Sequence, residues 1–154
     1  MNRYGIATDD LDHVRLLRHW RWLVPSSWTV LFGTALGDLF LEDTGGAVHW
    51  LDVGSIELTP AAPSRSALAE AWEDEEQRNF WFGPGLVDAI EAQGPTRGAS
   101  ECFSYVMLPA LGGKYEPSNF RIRTLYDHLD GWGPICEKIV SPPPGTRVQL
   151  RTTD

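Results

Sequence analysis

The sequence predicts an α+β fold, a mainly antiparallel sheet of about five or six strands with helices packed on it. Two β-favouring segments, residues 37–42 and 47–53, are separated by Asp-Thr-Gly-Gly, a sequence that favours a hairpin turn. Two later segments, residues 64–79 and 84–93, carry apolar residues at helical spacing between residues that start and end helices.

The whole chain of 154 residues is the length of a single domain. Residues 1–8 are predicted to be a loose lead-in. A helix is predicted over residues 10–23, because aspartates lie near its start, arginines lie in its later turns and a proline follows it. We therefore treat residues 1–23 as an N-terminal helical extension and residues 24–150 as the α+β domain that follows.

Two strands are predicted beside the hairpin, at residues 28–32 and 55–59, and residues 60–63 are predicted to be a linker. Three consecutive apolar side chains occupy residues 39–41, so the first hairpin strand is apolar on both faces. A strand with two apolar faces is usually central in its sheet.

The helix over residues 64–79 begins with Ser64 as its N-cap and carries a dense acidic face. The aromatic residues 80–82 and the Gly-Pro pair after them are predicted to interrupt the helical region. The next helix, over residues 84–93, has a proline in its first turn and a glycine just past its end.

The last third of the chain contains a glycine pair, Gly112 and Gly113, within an otherwise strand-like region. The pair lacks the spacing of a dinucleotide or P-loop motif, so a turn between two strands is favoured over a phosphate site. The remaining predicted elements are a strand at 99–108, a loop to residue 119, a strand at 119–124, a helix at 126–140 bent or delayed by its Gly-Pro residues, a turn at 142–145 and a strand at 146–150.

The formal net charge of −8 disfavours direct nucleic-acid binding and a cationic membrane-surface helix. A basic protein is the natural electrostatic partner, although ordinary acidity of a soluble protein explains the charge equally well. Cys102 and Cys136 match no zinc or redox spacing and are expected to be reduced core thiols. No signal peptide or membrane span is visible, so a cytoplasmic location is expected.

Catalytic patterns are weak throughout the chain. Asp127, His128 and Asp130 form the densest local cluster, and a small metal-dependent hydrolase is the remote alternative that they suggest. A solvated helix start explains the same residues without a metal. A pair of Cys102 or Cys136 with His128 arises in any fold that holds both residue types. We predict no enzymatic activity, no metal and no cofactor.

Several motifs, taken in order, resemble a known family. The sequence GDLFLED is followed by WLDV, by LPALGGKYEPSNF and by PPPGTRV. The chain resembles, from about Trp20 to Val148, the C-terminal domain of immunity proteins that guard bacteria against DNase effectors of the type VI secretion system. That domain often follows a so-called GAD-like domain, whereas only a helix precedes the family region here. The residues that carry the resemblance are Trp20, Trp22, Gly37, Asp38, Phe40, Leu51, Asp52, Pro109, Leu111, Gly112, Gly113, Asn119, Pro144, Gly145 and Thr146.

The resemblance implies that the protein binds and neutralises a cognate toxin, a basic nuclease, by occluding its active or DNA-binding cleft. A non-catalytic regulatory protein-binding domain unrelated to toxins is the alternative. The acidic helical region combines charge with aromatic side chains of the kind enriched in interface hot spots. We therefore predict a partner-binding surface formed by Glu70, Trp72, Glu73, Asp74, Glu75, Glu76 and Trp81.

Overall fold

A computed structural model describes residues 3–140 of the chain. It contains a five-stranded antiparallel sheet in the order β1-β2-β3-β4-β5, a separate two-stranded sheet and five α-helices within that range. The α+β prediction is confirmed. The elements are β1 Gly5–Ala7, α1 His13–Leu17, β2 Thr29–Thr34, β3 Leu39–Glu42, β4 Val48–Asp52, β5 Glu57–Ala62, α2 Arg65–Ala71, α3 Glu75–Phe82, α4 Pro84–Glu91, β6 Glu101–Tyr105, β7 Phe120–Thr124 and α5 Leu125–Val140. The turn and strand predicted at 142–145 and 146–150 lie outside the described residues.

The β3–β4 hairpin forms as predicted. Asp43 shapes its turn, because one carboxylate oxygen accepts hydrogen bonds from the backbone N–H groups of Gly45 at 2.9 Å and Ala47 at 3.0 Å. Gly46 has a φ of 90°, which favours glycine. The prediction that β3 is central is also confirmed, since β3 lies third in the five-stranded order.

The edges of the sheet differ from the prediction. Residues 5–7 form β1, which pairs antiparallel with β2, so the loose lead-in predicted over residues 1–8 is wrong there. The predicted linker at 60–63 is also wrong in part, because β5 continues through Pro60 to Ala62. Proline has no N–H to donate, and an edge strand tolerates it because one side of the strand needs no ladder partner.

The N-terminal helix is shorter than the predicted span of residues 10–23. Asp12 caps α1, and the helix ends at Leu17. The indole of Trp20 is fully buried and donates from Nε1 to the carbonyl of Leu129 at 3.0 Å. This hydrogen bond ties the segment after α1 to α5.

The predicted helix at 64–79 is two helices. Ser64 caps α2 as predicted, by accepting from the N–H of Ala67 at 3.0 Å. Asp74 caps a new helix, α3, and residues 80–82 continue α3 instead of interrupting it. Gly83, with a φ of 53°, ends α3 and leads directly into α4.

Helix α5 begins at Leu125 and continues through Gly131 to Pro134, so the predicted delay is not observed. Gly133 has a packing role there, because a Cβ at that position would lie 2.6 Å from the carbonyl oxygen of His19. Glycine therefore lets the segment after α1 approach the helix closely. This contact helps to hold the N-terminal residues on the domain.

The five-stranded sheet is covered on both faces. One face packs with α1 and α5 in a cluster that includes Leu39, Leu41 and Leu51. The other face packs with α2 and α3 in a largely aromatic cluster that includes Phe40 and Trp50. Alternation along β3 sends its leucines to the first face and its phenylalanine to the second. The acidic helices are therefore supported by a rigid aromatic layer.

Candidate partner-binding surface

The five predicted carboxylates are all exposed and follow one another closely along the chain. Glu70 lies in the last turn of α2, Glu73 and Asp74 lie in the connection to α3, and Glu75 and Glu76 begin α3. We call this set of five residues the acidic surface. The α3 dipole stabilises the carboxylates at the start of that helix, which are Asp74, Glu75 and Glu76.

Hydrogen bonds fix the shape of the α2–α3 connection. The carboxylate of Asp74 accepts from the N–H of Glu76 at 3.0 Å. The guanidinium of Arg78 donates to the carbonyl of Trp72 at 2.6 Å. Both ends of the connection are therefore tied down, and the acidic surface has a defined geometry before any partner binds.

The acidic surface carries uncompensated charge. Among residues 3–140, none of its five carboxylates forms an ion pair. The two arginines of the same helices are engaged elsewhere: Arg65 forms a bidentate pair with Glu42 at 2.5 and 2.9 Å, and Arg78 binds a backbone carbonyl. Unpaired surface carboxylates attract a cationic partner at the lowest cost, because no internal pair must be broken.

The two predicted tryptophans lie deeper than the carboxylates. Trp72 is half-buried, and its ring lies 4.8 Å from that of Phe82 and 5.5 Å from that of Phe32. Trp81 is only 5% exposed and packs edge-on against Phe40 at a ring distance of 5.4 Å. Trp81 therefore supports the surface from below, and Trp72 offers part of one ring.

Phe80 is the exposed aromatic residue of this region, with 68% of its surface accessible. Phe80 was not among the predicted contact residues, because residues 80–82 were predicted to interrupt the helical region. A helical continuation would have placed Phe80 four residues after Glu76, on the same face of α3. The four-residue spacing between Glu76 and Phe80 could therefore have indicated that Phe80 shares a helix face with an acidic side chain.

A second group of motif residues forms a buried polar network between the sheets and α5. His128 is fully buried, and its Nε2 lies 3.1 Å from the carbonyl oxygen of Gly37. A carbonyl oxygen only accepts, so Nε2 carries the proton, and Nδ1 accepts from the hydroxyl of Ser104 at 2.6 Å. Burial lowers the pKa of His128 to about 4, so the ring is neutral near neutral pH.

Asp38 is the adjacent buried acid. It is 4% exposed and accepts from the N–H of Val53 at 3.0 Å. Burial raises the pKa of the Asp38 carboxyl well above its usual range. The Gly-Asp motif therefore joins the β2–β3 turn to the end of β4 and to α5, and its role is structural.

Ser104 and His128 could in principle act as a nucleophile and a base, but neither side chain is accessible to a substrate. Both side chains are 0% exposed, so no substrate reaches the hydroxyl without rearrangement of the core. Cys102 and Cys136 are buried as well, and burial raises the pKa of Cys136 to about 12. A thiol with such a pKa is a poor nucleophile. These groups stabilise the fold.

The cluster of Asp127, His128 and Asp130, which suggested the remote alternative of a metal-dependent hydrolase, does not assemble. His128 points inward, Asp127 is exposed, and Asp130 pairs with Arg18 at 2.6 Å. Within residues 3–140, no three His, Cys, Asp or Glu side chains gather in a way that could hold a metal ion.

The five helices of the described residues include none with the length and hydropathy that a membrane span requires.

The glycine-rich loop joins β6 to β7, as predicted for a turn between strands. The side chain of Asn119 fixes its shape by accepting from the N–H of Met107 at 2.9 Å and donating to the carbonyls of Met107 and Lys114 at 2.8 and 2.9 Å. A Cβ on Gly113 would lie 2.0 Å from the Met107 carbonyl oxygen, so only glycine fits. The loop is a folding element.

Residues 62–130 match the family described as T6SS immunity protein Tdi1, C-terminal. The resemblance is thus confirmed over this segment, which includes the acidic surface and the loop that ends at Asn119. The motifs before residue 62 and after residue 130 lie outside the match. No curated protein matches the chain significantly. The matched family supports an immunity role, and such a role implies binding to a cognate toxin effector.

Proposed function

From the match of residues 62–130 to the type VI secretion immunity family, we propose that this protein binds and neutralises a cognate toxin, a basic nuclease acting on DNA. In this proposal the protein works in the cytoplasm without catalysis. Its seven contact and support residues are Glu70, Trp72, Glu73, Asp74, Glu75, Glu76 and Trp81.

The proposed mechanism is occlusion. A DNase holds the phosphate backbone of its substrate with basic side chains. Carboxylates presented on a rigid scaffold can occupy the same cationic cleft and exclude the nucleic acid. Opposite charge also accelerates the encounter between the two proteins, which suits an inhibitor that must act before the toxin cuts the chromosome.

One observation carries the proposal: five exposed carboxylates without ion pairs lie on a preorganised connection inside the matched segment. The protein has a negative net charge, and five of its carboxylates also lie close together along the chain. This concentrated negative charge can therefore meet one face of a partner. The buried Ser104–His128 pair offers no comparable accessible chemistry.

The test is to search the neighbouring genes for a nuclease toxin and to co-express that toxin with this chain. We expect the wild-type chain to restore growth and the Glu73→Lys/Glu76→Lys variant to lose protection, because two attractions become repulsions. The matched control is Asp9→Lys/Asp10→Lys, which changes the net charge equally at exposed positions outside the matched segment. Full protection by both variants would refute the proposed surface, and failure of the wild type to protect would favour a regulatory binding domain.

A further inference from the structure

Phe80 is a large apolar side chain that is exposed to solvent. Its side chain stands out from α3 with 68% of its surface exposed, although its two neighbours in sequence, Trp81 and Phe82, are buried. Full burial of a phenylalanine is strongly favourable, so this position leaves a large unused hydrophobic contribution. An exposed aromatic side chain with polar residues around it is typical of an interaction site.

The structure holds Phe80 firmly. Its ring packs edge-on against Trp50 at a centroid distance of 5.2 Å. Trp50 is only 6% exposed and belongs to the aromatic layer beneath α3. An aromatic side chain fixed in this way loses little conformational entropy when a partner covers it. Phe80 is therefore a preorganised anchor.

One acidic side chain shares the helix face of this anchor. Glu76 precedes Phe80 by one helical turn on α3, and the other members of the acidic surface lie earlier along the chain. A partner that covers Phe80 must therefore accept the Glu76 carboxylate at the rim of the contact. Apolar centres with charged rims are the usual anatomy of specific protein interfaces.

We propose that Phe80 is the central anchor of the toxin contact and that the partner presents an apolar pocket bordered by lysine or arginine side chains. This inference rests on the proposed function and sharpens it, because it replaces the buried Trp81 with an exposed residue as the energetic centre. The partner surface would be a cationic cleft with an apolar floor, and not a uniformly charged groove.

The experiment measures the dissociation constant between the purified full chain and a catalytically inactivated form of the toxin that the co-expression test identifies. Phe80→Ala is expected to weaken binding about 10- to 100-fold, as for interface hot spots. Phe80→Gln, which keeps methylene groups over Trp50 but removes the aromatic tip, is expected to weaken binding to a similar extent. Val14→Ala is the matched control, since Val14 is 72% exposed on α1, far from the acidic surface in sequence.

Thermal unfolding of each variant separates binding from folding, and Phe80→Gln decides the question if Phe80→Ala is unstable. Loss of binding in Phe80→Gln with a wild-type melting temperature and normal binding by Val14→Ala supports the anchor. Wild-type affinity in Phe80→Gln overturns it. In that case, retained binding by the wild type and loss in Glu73→Lys/Glu76→Lys would leave the proposed function standing.

Discussion

The contact between Gly37 and His128 makes a quantitative prediction about stability. Gly37 has a φ of 88°, and a Cβ built on it would lie 2.2 Å from Nε2 of His128 and within 2.7 Å of two ring carbons. The ring is held by hydrogen bonds at both nitrogens, so it has no free direction in which to move. Gly37→Ala therefore combines backbone strain with a buried clash.

The two costs can be separated with a second glycine. Gly46 has nearly the same φ, 90°, but a Cβ there meets no atom within 4 Å. A positive φ costs an L-residue roughly 1–2 kcal/mol, so Gly46→Ala should lose about that amount. Overpacking of a filled site adds roughly 1–3 kcal/mol, so Gly37→Ala should lose roughly 2–5 kcal/mol.

Urea unfolding followed by tryptophan fluorescence measures both losses, and seven tryptophans provide the signal. We expect the unfolding midpoint of Gly37→Ala to fall well below that of Gly46→Ala at an unchanged dependence on denaturant. Equal losses in the two variants would show that His128 does not pack against Gly37 and would refute the proposed structural role of the motif.

Two further predictions concern His128 and Asn119. Burial lowers the pKa of His128 from 6.5 in the unfolded chain to about 4. Between these two pH values the unfolded state binds more protons than the folded state. The free energy of unfolding of the wild type should therefore fall by up to about 3 kcal/mol as the pH drops from 6.5 to 4. His128→Gln should lack this share of the pH dependence, and identical profiles for the two proteins would contradict the assignment. Asn119→Ala removes three hydrogen bonds to the β6–β7 loop and should cost roughly 1–3 kcal/mol in urea unfolding, whereas Asn79→Ala, at an exposed position on α3, should cost little. Similar losses for the two asparagine variants would argue against the role of Asn119.

Local signals predicted local structure well. The turn around Asp43, the cap at Ser64 and the central position of β3 follow from residue chemistry within a few positions along the chain. Strand β1 was missed because it has only three residues and its pairing with β2 depends on residues far along the chain. No periodicity can develop over three residues.

The sequence predicted the exposed carboxylates but not the exposure of Phe80. The five carboxylates are exposed as expected, because charged side chains rarely become buried without partners. Which of three consecutive aromatic residues faces water depends on the phase of α3, and that phase depends on the Asp74 cap and the sheet beneath it. One residue of helical rotation separates the buried Trp81 from the exposed Phe80.

The most direct measurement of the central claim is the affinity of the purified chain for the inactivated toxin by titration calorimetry. Glu73→Lys/Glu76→Lys should weaken binding at least about tenfold, which corresponds to roughly 1.4 kcal/mol, while Asp9→Lys/Asp10→Lys should stay within about twofold of the wild type. Equal affinities for the wild type and Glu73→Lys/Glu76→Lys would contradict the claim that the acidic surface binds the toxin.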